Sequence, residues 1–309
     1  MKLSELVRLK NELIRRSDVS TIAAEIKTML LQFETIGKST DYVLEIEQIS
    51  KYIFNRFRKF DSTINSKISK VIALIDVAIQ QEITKCFASW YNINTTFEED
   101  NARRKILIPD EVLSELIGRI TAHGNWQYPG LEIGPHEGEF TKYLLGFEPL
   151  YLADVYPEYF EIVKAQYPIE YQARLRTYCI THEKGLRELP QNQFGFVFSW
   201  NVFNYLPLEE IKKYLLEVFS VLRPGGTFIF SFNDGNTYNG ARHAENREMS
   251  FTPKDLLLII AESYGFEIVN SFGFESNWLS ISWLEIKKPG QLNTIRAHST
   301  LGEIRSIGQ

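Results

Sequence analysis

Apolar residues recur at helical spacing through most of the first hundred positions of the chain. After Asp61 the spacing settles into steps of four, four and three residues, an eleven-residue period that keeps the stripe on one side of a nearly straight helix. The stripe consists of Ile64, Ile68, Ile72, Ile75, Ile79, Ile83, Cys86 and Trp90. Such a long apolar stripe has to be buried. It therefore predicts an all-α domain over residues 1–100, built either as a bundle within one chain or as a coiled coil between chains.

The pattern changes beyond the polar stretch 92–105, where short apolar runs alternate with amphipathic helical segments. The predicted strands are 131–133, 150–154, 174–180, 194–200, 227–232, 266–272 and 279–286, and the predicted helices are 109–120, 140–147, 157–163, 206–222 and 252–265. This alternation predicts a doubly wound, mostly parallel, seven-stranded α/β sheet over residues 106–287. Residues 273–278 are too few for a crossover between the last two strands, so the final strand is predicted to be antiparallel.

The composition is that of an ordinary globular protein, with 44% hydrophobic and 24% charged residues. A length of 309 residues suggests about two domains. Residues 288–309 show no clear period and are predicted to form a C-terminal tail. The net charge of −5 is uneven, because residues 1–105 hold 17 basic against 14 acidic side chains and the remainder holds 17 against 25. An acidic second half makes nucleic acid an unfavourable partner.

Cysteine usage and hydropathy bear on where the protein works. Cys86 and Cys179 are the only cysteines and allow no disulfide framework, which favours a cytoplasmic protein. No apolar run approaches 18 residues, and the first residues lack the apolar core of a signal peptide, so no membrane association is predicted. The five histidines include no H-x-x-x-H pair, and no metal site is predicted.

The first strand of the α/β part runs into a glycine turn. A pyrophosphate-binding turn needs glycines where this chain has His136 and Glu139, and acidic side chains would repel phosphate. The alternative pattern E-x-G-x-G-x-G fits Glu132, Gly134 and Gly138 and misses only at His136. Because the fit is better, this turn favours a ligand without phosphates.

This motif resembles the first motif of the class I methyltransferases that use S-adenosyl-L-methionine. Two later stretches agree with it in order and spacing. FGFVFSWNVFNYL, residues 194–206, resembles the fourth strand of that family and the loop after it, and LRPGG, residues 222–226, resembles the turn before the fifth strand. The resemblance covers about residues 109–286. It implies S-adenosyl-L-methionine as cofactor and methyl transfer to a small molecule or a protein side chain.

The resemblance also implies roles for particular residues. The cofactor-binding residues would be Glu132, Gly134, His136, Gly138, Asp154, Ser199 and Asn201. Among them, Asp154 would accept hydrogen bonds from the ribose hydroxyls, and Ser199 and Asn201 would lie near the transferable methyl group. The acceptor is expected over loops that follow strand ends. The catalytic candidates there are Asp234, His243 and Tyr205, with Asp234 or His243 as a general base.

Two departures from the family pattern keep a second hypothesis open. His136 replaces the usual middle glycine, and Gly195 stands where members often carry aspartate. In the family an acidic residue commonly ends the third strand near the adenine. The candidates for that position here are Thr181, His182 and Glu183. The alternative is therefore a structural or assembly protein with this fold and a non-catalytic site, such as a component of a virion. On either hypothesis the N-terminal helices are expected to mediate self-association or docking to another protein.

Overall fold

The computed structural model describes residues 2–15, 72–73, 75–79, 108–181, 184–276 and 280–292. Most of the predicted apolar stripe after Asp61 lies outside the described residues, as do the polar stretch 92–105, His182 and Glu183.

A seven-stranded sheet forms the centre of the described chain. Its strands are β1 Gly130–Ile133, β2 Leu150–Asp154, β3 Leu175–Cys179, β4 Phe194–Ser199, β5 Leu222–Phe232, β6 Glu267–Glu275 and β7 Ser280–Lys287. They lie in the order β3-β2-β1-β4-β5-β7-β6. Strands β1 to β5 pair in parallel, whereas β7 runs antiparallel to both β5 and β6. The predicted doubly wound, mostly parallel sheet with a final antiparallel strand is confirmed.

Helices cover both faces of the sheet. They are α1 Leu3–Arg15, α2 Asp110–Ala122, α3 Glu158–Lys164, α4 Ile169–Gln172, α5 Leu208–Val221, α6 Tyr238–Glu245 and α7 Lys254–Ser263. Successive residues of a strand point to opposite faces. In β4, Val197 packs in the layer of α5 and α7, while Phe196 and Phe198 pack in the layer of α2 and α3. All three side chains are completely buried, as expected for a central strand.

The helix predicted over residues 140–147 is wrong. Only a single 3-10 turn forms, Thr141–Tyr143, and it is followed by further turns. Backbone hydrogen bonds run from Tyr143 N to Phe140 O, from Leu144 N to Thr141 O and from Phe147 N to Leu144 O, each three residues back. Phe140, Leu144 and Phe147 are all buried, so the apolar spacing reflects core contacts rather than α-helical winding. Bonds three residues back are typical of short 3-10 turns.

The fifth strand begins earlier than predicted, at Leu222, so that LRPGG lies within β5. Leu222 pairs with Phe194, and the register shifts before the regular pairing with β4 resumes. Gly225 has φ +86°, so the stretch bulges, and the chain that follows β7 pairs with it. Gly225 N donates to Lys288 O at 2.9 Å, and Lys288 N donates to Gly226 O at 2.9 Å. The first residues of the predicted tail therefore lie against β5.

Helix α6 lies in a polar stretch for which the sequence predicts no helix. Its first turn is capped by the Thr237 hydroxyl, which accepts the Gly240 N–H at 2.9 Å. Its apolar side is small, consisting of Ala241 and Ala244, which are both buried. The helix has only eight residues and few large apolar side chains, so no apolar run marks it in the sequence.

The described N-terminal residues pack against α6. Buried side chains of α1 and of residues 72–79 form one cluster with Ala241, Ala244 and Phe251. Polar contacts join the same elements, since Ser4 Oγ donates to Glu245 Oε2 at 2.6 Å and Asn11 Nδ2 donates to Asn236 O at 2.7 Å. Part of the N-terminal region is therefore packed onto the α/β part of its own chain.

Candidate active site

Three parallel strands bring residues that are distant in sequence to one edge of the sheet. Ile133 pairs with Ala153 of β2 on one side and with Ser199 of β4 on the other. The residues that follow each strand end are therefore neighbours. Gly134, Asp154 and Ser199 lie together at the carboxyl edge of β1, β2 and β4, where ligands of doubly wound sheets bind.

The turn after β1 uses left-handed backbone conformations that favour glycine. Gly134 has φ +70° and Gly138 has φ +86°. At Gly134 a Cβ would overlap the Val202 side chain, which comes from the loop after β4. At Gly138 a Cβ would approach Val163 Cγ2 of α3 to 3.2 Å. Both glycines are therefore required by backbone conformation and close packing, which hold the turn against two neighbouring segments.

His136 adopts the left-handed conformation that its position requires, with φ +49°. This conformation costs a side chain with a Cβ some free energy. The imidazole stacks on the ring of Tyr159 from α3, with ring centroids 5.1 Å apart and an angle of 20° between the planes. Packing against a completely buried aromatic ring offsets part of that cost. The turn thus keeps the shape expected of a glycine at this position.

Glu132 is a buried carboxyl group on β1, on the sheet face covered by α2 and α3. It faces the same way as its β4 neighbour Phe198. Thr141 Oγ1 donates to Glu132 Oε2 at 2.6 Å. Burial raises the pKa of Glu132 from its ordinary 4.5 to about 8, and the negative charge of Asp154 adds to the rise. Glu132 is therefore mostly protonated at neutral pH.

Asp154 ends β2 and is almost completely buried. Its Oδ1 accepts the Tyr156 backbone N–H at 3.0 Å. The bond to Tyr156 holds the carboxylate at the strand end, just before α3.

Ser199 and Asn201 belong to a buried polar chain that joins the ends of β1, β4 and β5. Ser199 Oγ donates to Ile133 O at 2.9 Å. Asn201, at φ +56°, donates its backbone N–H to Ser231 Oγ at 2.7 Å, and Ser231 Oγ donates to Asn204 Oδ1 at 2.8 Å. Ser231 lies within the apolar run of β5, where no motif marks it in the sequence. These bonds fix the loop after β4 in one conformation.

Asp234 follows β5 and is buried. Its Oδ1 accepts the backbone N–H groups of Asn236 at 2.9 Å and Lys254 at 3.1 Å. Burial raises the pKa of Asp234 from 3.8 to about 6, against the lowering effect of these two bonds. Since Lys254 is the first residue of α7, Asp234 ties the start of that helix to the end of β5.

The other two catalytic candidates lie in separate segments. Tyr205 is half-buried in the loop after β4, where its backbone N–H donates to Val202 O at 3.0 Å. His243 lies on α6, and its Nδ1 is 2.6 Å from Glu248 Oε2. Glu248 is a neighbour that the sequence does not point to, because the contact depends on how the chain turns after α6.

The structure also explains one departure from the family pattern. A Cβ at Gly195 would lie 2.7 Å from Tyr128 Cβ, so this glycine serves packing near the amino end of β4, away from the site. Of the three residues considered for adenine binding, Thr181 is exposed beyond β3, and its hydroxyl accepts the Lys184 N–H at 3.3 Å. His182 and Glu183 lie outside the described residues.

Among the described parts of the chain, no group of three or more His, Cys, Asp or Glu side chains could hold a metal ion. No helix in those parts is long and apolar enough to cross a membrane.

A protein-family model described as a methyltransferase domain matches residues 131–230, the stretch from β1 into β5. This stretch is therefore similar to a methyltransferase domain, and the sheet has the fold of class I methyltransferases. The matched stretch contains all the residues predicted to bind the cofactor, from Glu132 to Asn201, whereas Asp234 and His243 lie beyond it.

Solved structures that are similar to this part of the chain have low sequence identity to it. A geranyl diphosphate C-methyltransferase from Streptomyces coelicolor A3(2) is 7% identical, with 65% of this chain and 89% of that chain covered at a TM-score of 0.48. The YcgJ protein from Bacillus subtilis is 10% identical, with 57% and 99% covered at 0.47. An S-adenosylmethionine-dependent methyltransferase from Mesorhizobium loti is 14% identical, with 56% and 96% covered at 0.46. No curated protein matches the chain.

Proposed function

We propose that this chain is an S-adenosyl-L-methionine-dependent methyltransferase that acts on a small molecule or a protein side chain. The observation that carries the proposal is the meeting of Glu132, the left-handed turn 134–138 and Asp154 at one edge of a methyltransferase domain. The three features come from different parts of the sequence, and each suits a different part of the cofactor.

The residues present fit this cofactor. The cofactor carries a sulfonium cation and an ammonium group, and Glu132 and Asp154 offer two close carboxyl groups whose mutual repulsion a cation would relieve. The ribose has two neighbouring hydroxyls, which suit the paired oxygens of Asp154. The backbone from Gly134 to Gly138 would lie against the methionine half, and Ser199 and Asn201 would fix the loop beside the methyl group. When bound, the cofactor supplies an activated methyl group.

The chain's remaining task is to bind and orient the acceptor and to remove its proton. Of the three catalytic candidates, we favour His243 as the proton acceptor. Asp234 already accepts two backbone hydrogen bonds at the start of α7, which suits a positioning role. Tyr205, on the loop between these strand ends, would contact the acceptor.

Calorimetric titration with S-adenosylhomocysteine tests the cofactor site. We expect binding in the micromolar range, about −8 kcal/mol. Asp154→Ala should weaken it by about 1.5–3 kcal/mol, through loss of hydrogen bonds to a charged acceptor. His136→Gly is the matched variant, and it should lower the affinity or leave it almost unchanged, because the imidazole packs on Tyr159.

Two results would contradict this proposal. Absence of binding by the wild-type protein at millimolar ligand would favour the alternative of a structural or assembly protein, such as a virion component. Binding that appears only in the His136→Gly variant would show that the imidazole blocks a retired site.

The N-terminal region suggests a second property, self-association or docking to another protein. Ile75 and Ile79 of the apolar stripe are buried within the chain, so a partner would have to use other stripe positions. We expect the full chain to form an oligomer by light scattering, and Ile68→Asp with Ile83→Asp to dissociate it. Ser66→Asp with Thr84→Asp, outside the stripe, should leave the mass unchanged. A monomeric wild-type chain that retains no partner would end this proposal.

A cytoplasmic location stays a prediction.

A further inference from the structure

His243 and Glu248 form a close pair beside the proposed acceptor position. The Nδ1 atom of His243 lies 2.6 Å from Glu248 Oε2, a short distance for a nitrogen–oxygen hydrogen bond. The other ring nitrogen, Nε2, is buried and has no hydrogen-bond partner in the described structure. A buried polar atom normally has a partner. The imidazole is thus held at one nitrogen, and its other nitrogen is buried and unpartnered.

The winding of α6 directs His243 toward the sheet. Residues four apart lie on the same side of a helix. Asn239, four residues before His243, donates through Nδ2 to Ser276 O at 2.6 Å, just beyond β6. The opposite side of α6 faces α1 through Ala241, Ala244 and Glu245. His243 therefore lies on the side of α6 that faces the carboxyl edge of the sheet.

A short chain of contacts links His243 to the predicted cofactor edge. The carbonyl of His243 accepts the Met249 N–H at 3.4 Å. Met249 Sδ is 4.0 Å from Asn204 Nδ2. Asn204 accepts a hydrogen bond from Ser231 Oγ, which in turn accepts the Asn201 N–H. Asn201 is predicted to lie near the transferable methyl group, so these contacts connect α6 to the loop that is predicted to border that group.

We propose that His243 is the general base of this enzyme, that Glu248 is its positioning residue, and that the acceptor group is a hydroxyl. This inference rests on the proposed function. Glu248 accepts the Nδ1–H, which leaves the lone pair on Nε2 available as a base. The hydroxyl oxygen forms a bond to the methyl carbon as the carbon–sulfur bond breaks and its electron pair stays on sulfur. The hydroxyl proton passes to Nε2, the resulting imidazolium is stabilised by Glu248, and the proton is later released to water.

The chemistry of a fixed base favours a hydroxyl over other acceptors. A carboxylate is already ionised at neutral pH, and a thiol is ionised in part, so neither needs a dedicated base. An ammonium has to lose its proton before it has a lone pair with which to attack. A hydroxyl attacks while it still carries its proton, so a base in contact with it lowers the barrier directly.

Nitrogen NMR of the histidine rings tests the pair without cofactor or acceptor. We expect the neutral ring of His243, assigned by loss of its signals in His243→Asn, to carry its proton on Nδ1. Glu248→Ala should shift the population toward the Nε2–H form, which a purely structural contact elsewhere would not do. The matched variant Arg242→Gln, at an exposed neighbour on α6, should leave the ring unchanged. A neutral His243 ring that carries its proton on Nε2 in the wild-type protein would contradict the proposed role of Glu248.

Methyl transfer to a probe tests the acceptor class. Catechol is the hydroxyl probe and benzylamine the amine probe, with the transferred methyl group counted by radiolabel. We expect transfer to catechol to fall about a hundredfold in His243→Asn and to fall less in Glu248→Ala. Binding of S-adenosylhomocysteine should stay within twofold of wild type in both, which separates failure of this inference from failure of the proposed function. Transfer to benzylamine alone, no transfer to catechol, or equal rates in His243→Asn would overturn the hydroxyl assignment.

Discussion

Replacing Glu132 by glutamine is expected to remove a fall in stability that the wild-type protein shows as the pH rises from about 4.5 to about 8. The folded protein keeps the Glu132 proton until the pH approaches its raised pKa, whereas the unfolded chain releases it near the ordinary value. The unfolded state therefore binds fewer protons in this range, and the free energy of unfolding decreases with pH. The decrease should amount to about 2–4 kcal/mol across the window.

Urea denaturation at four pH values between 5 and 8, at constant ionic strength, measures this effect. The pKa of Asp234 is also raised, from 3.8 to about 6, so the stability of both proteins falls as the pH rises through that range. The difference between wild type and variant therefore isolates the effect of Glu132. The amide retains an oxygen that can accept the Thr141 hydroxyl, and Thr141→Val tests that bond separately. Parallel curves for wild type and Glu132→Gln would contradict the assignment. If the proposed function holds, the variant should also bind S-adenosylhomocysteine more weakly, because the ammonium group of the ligand favours an ionised Glu132 and an amide cannot ionise.

Glu285→Gln is expected to destabilise the protein by about 2–3 kcal/mol at neutral pH, because it removes the buried one of the two carboxylates that pair with a partly buried arginine. Glu285 of β7 is almost completely buried. Its carboxylate lies 2.7 Å from Arg119 Nη1 of α2 and 2.8 Å from His123 Nε2, at the end of the same helix. Burial by itself would raise the pKa of Glu285, but the hydrogen bonds from His123 and Arg119 outweigh it and lower the pKa. The stabilising effect is present above the ordinary pKa of 4.5 and is lost as the pH falls through the lowered value.

Arg119 offers its own matched control. The same guanidinium also contacts Glu115 at 2.7 Å, but Glu115 is exposed. Glu115→Gln should cost less than about 1 kcal/mol, since exposed ion pairs contribute little. Thermal and urea denaturation of both variants at pH 7 provide the comparison. Equal losses would show that burial of Glu285 is not what gives the pair its strength.

Most of the fold could be predicted because its strands are marked by local features of the sequence. The continuous apolar run of β4 and the short connection between β6 and β7 are local features, and each determines one property of the sheet. The elements that the sequence predicts wrongly are short, and tertiary contacts decide them. Residues 140–147 fill the core through successive turns, and 222–226 bulge from the regular pairing with β4 and are held by the chain after β7.

The site divides in the same way. Gly134, Asp154 and Ser199 could be placed together from sequence, because the carboxyl ends of parallel strands meet at one edge. The side-chain contacts that set the pKa of Glu132 and the shape of the glycine turn could not be predicted from sequence. The bond from Thr141 to Glu132 and the stack of His136 on Tyr159 each depend on how side chains pack after the chain has folded. No periodicity or motif in one sequence records such contacts.

The place of β7 in the sheet has a consequence for synthesis on the ribosome. Among the described strands, β6 pairs only with β7, and β7 lies between β5 and β6 although it is the last of them to be translated. Until residues 280–287 have emerged, the nascent chain exposes an unpaired edge of β5, and β6 has no partner. Exposed strand edges invite pairing with other chains. A ribosome that pauses shortly before Ser280 should therefore hold a nascent chain that is prone to aggregate and attractive to chaperones.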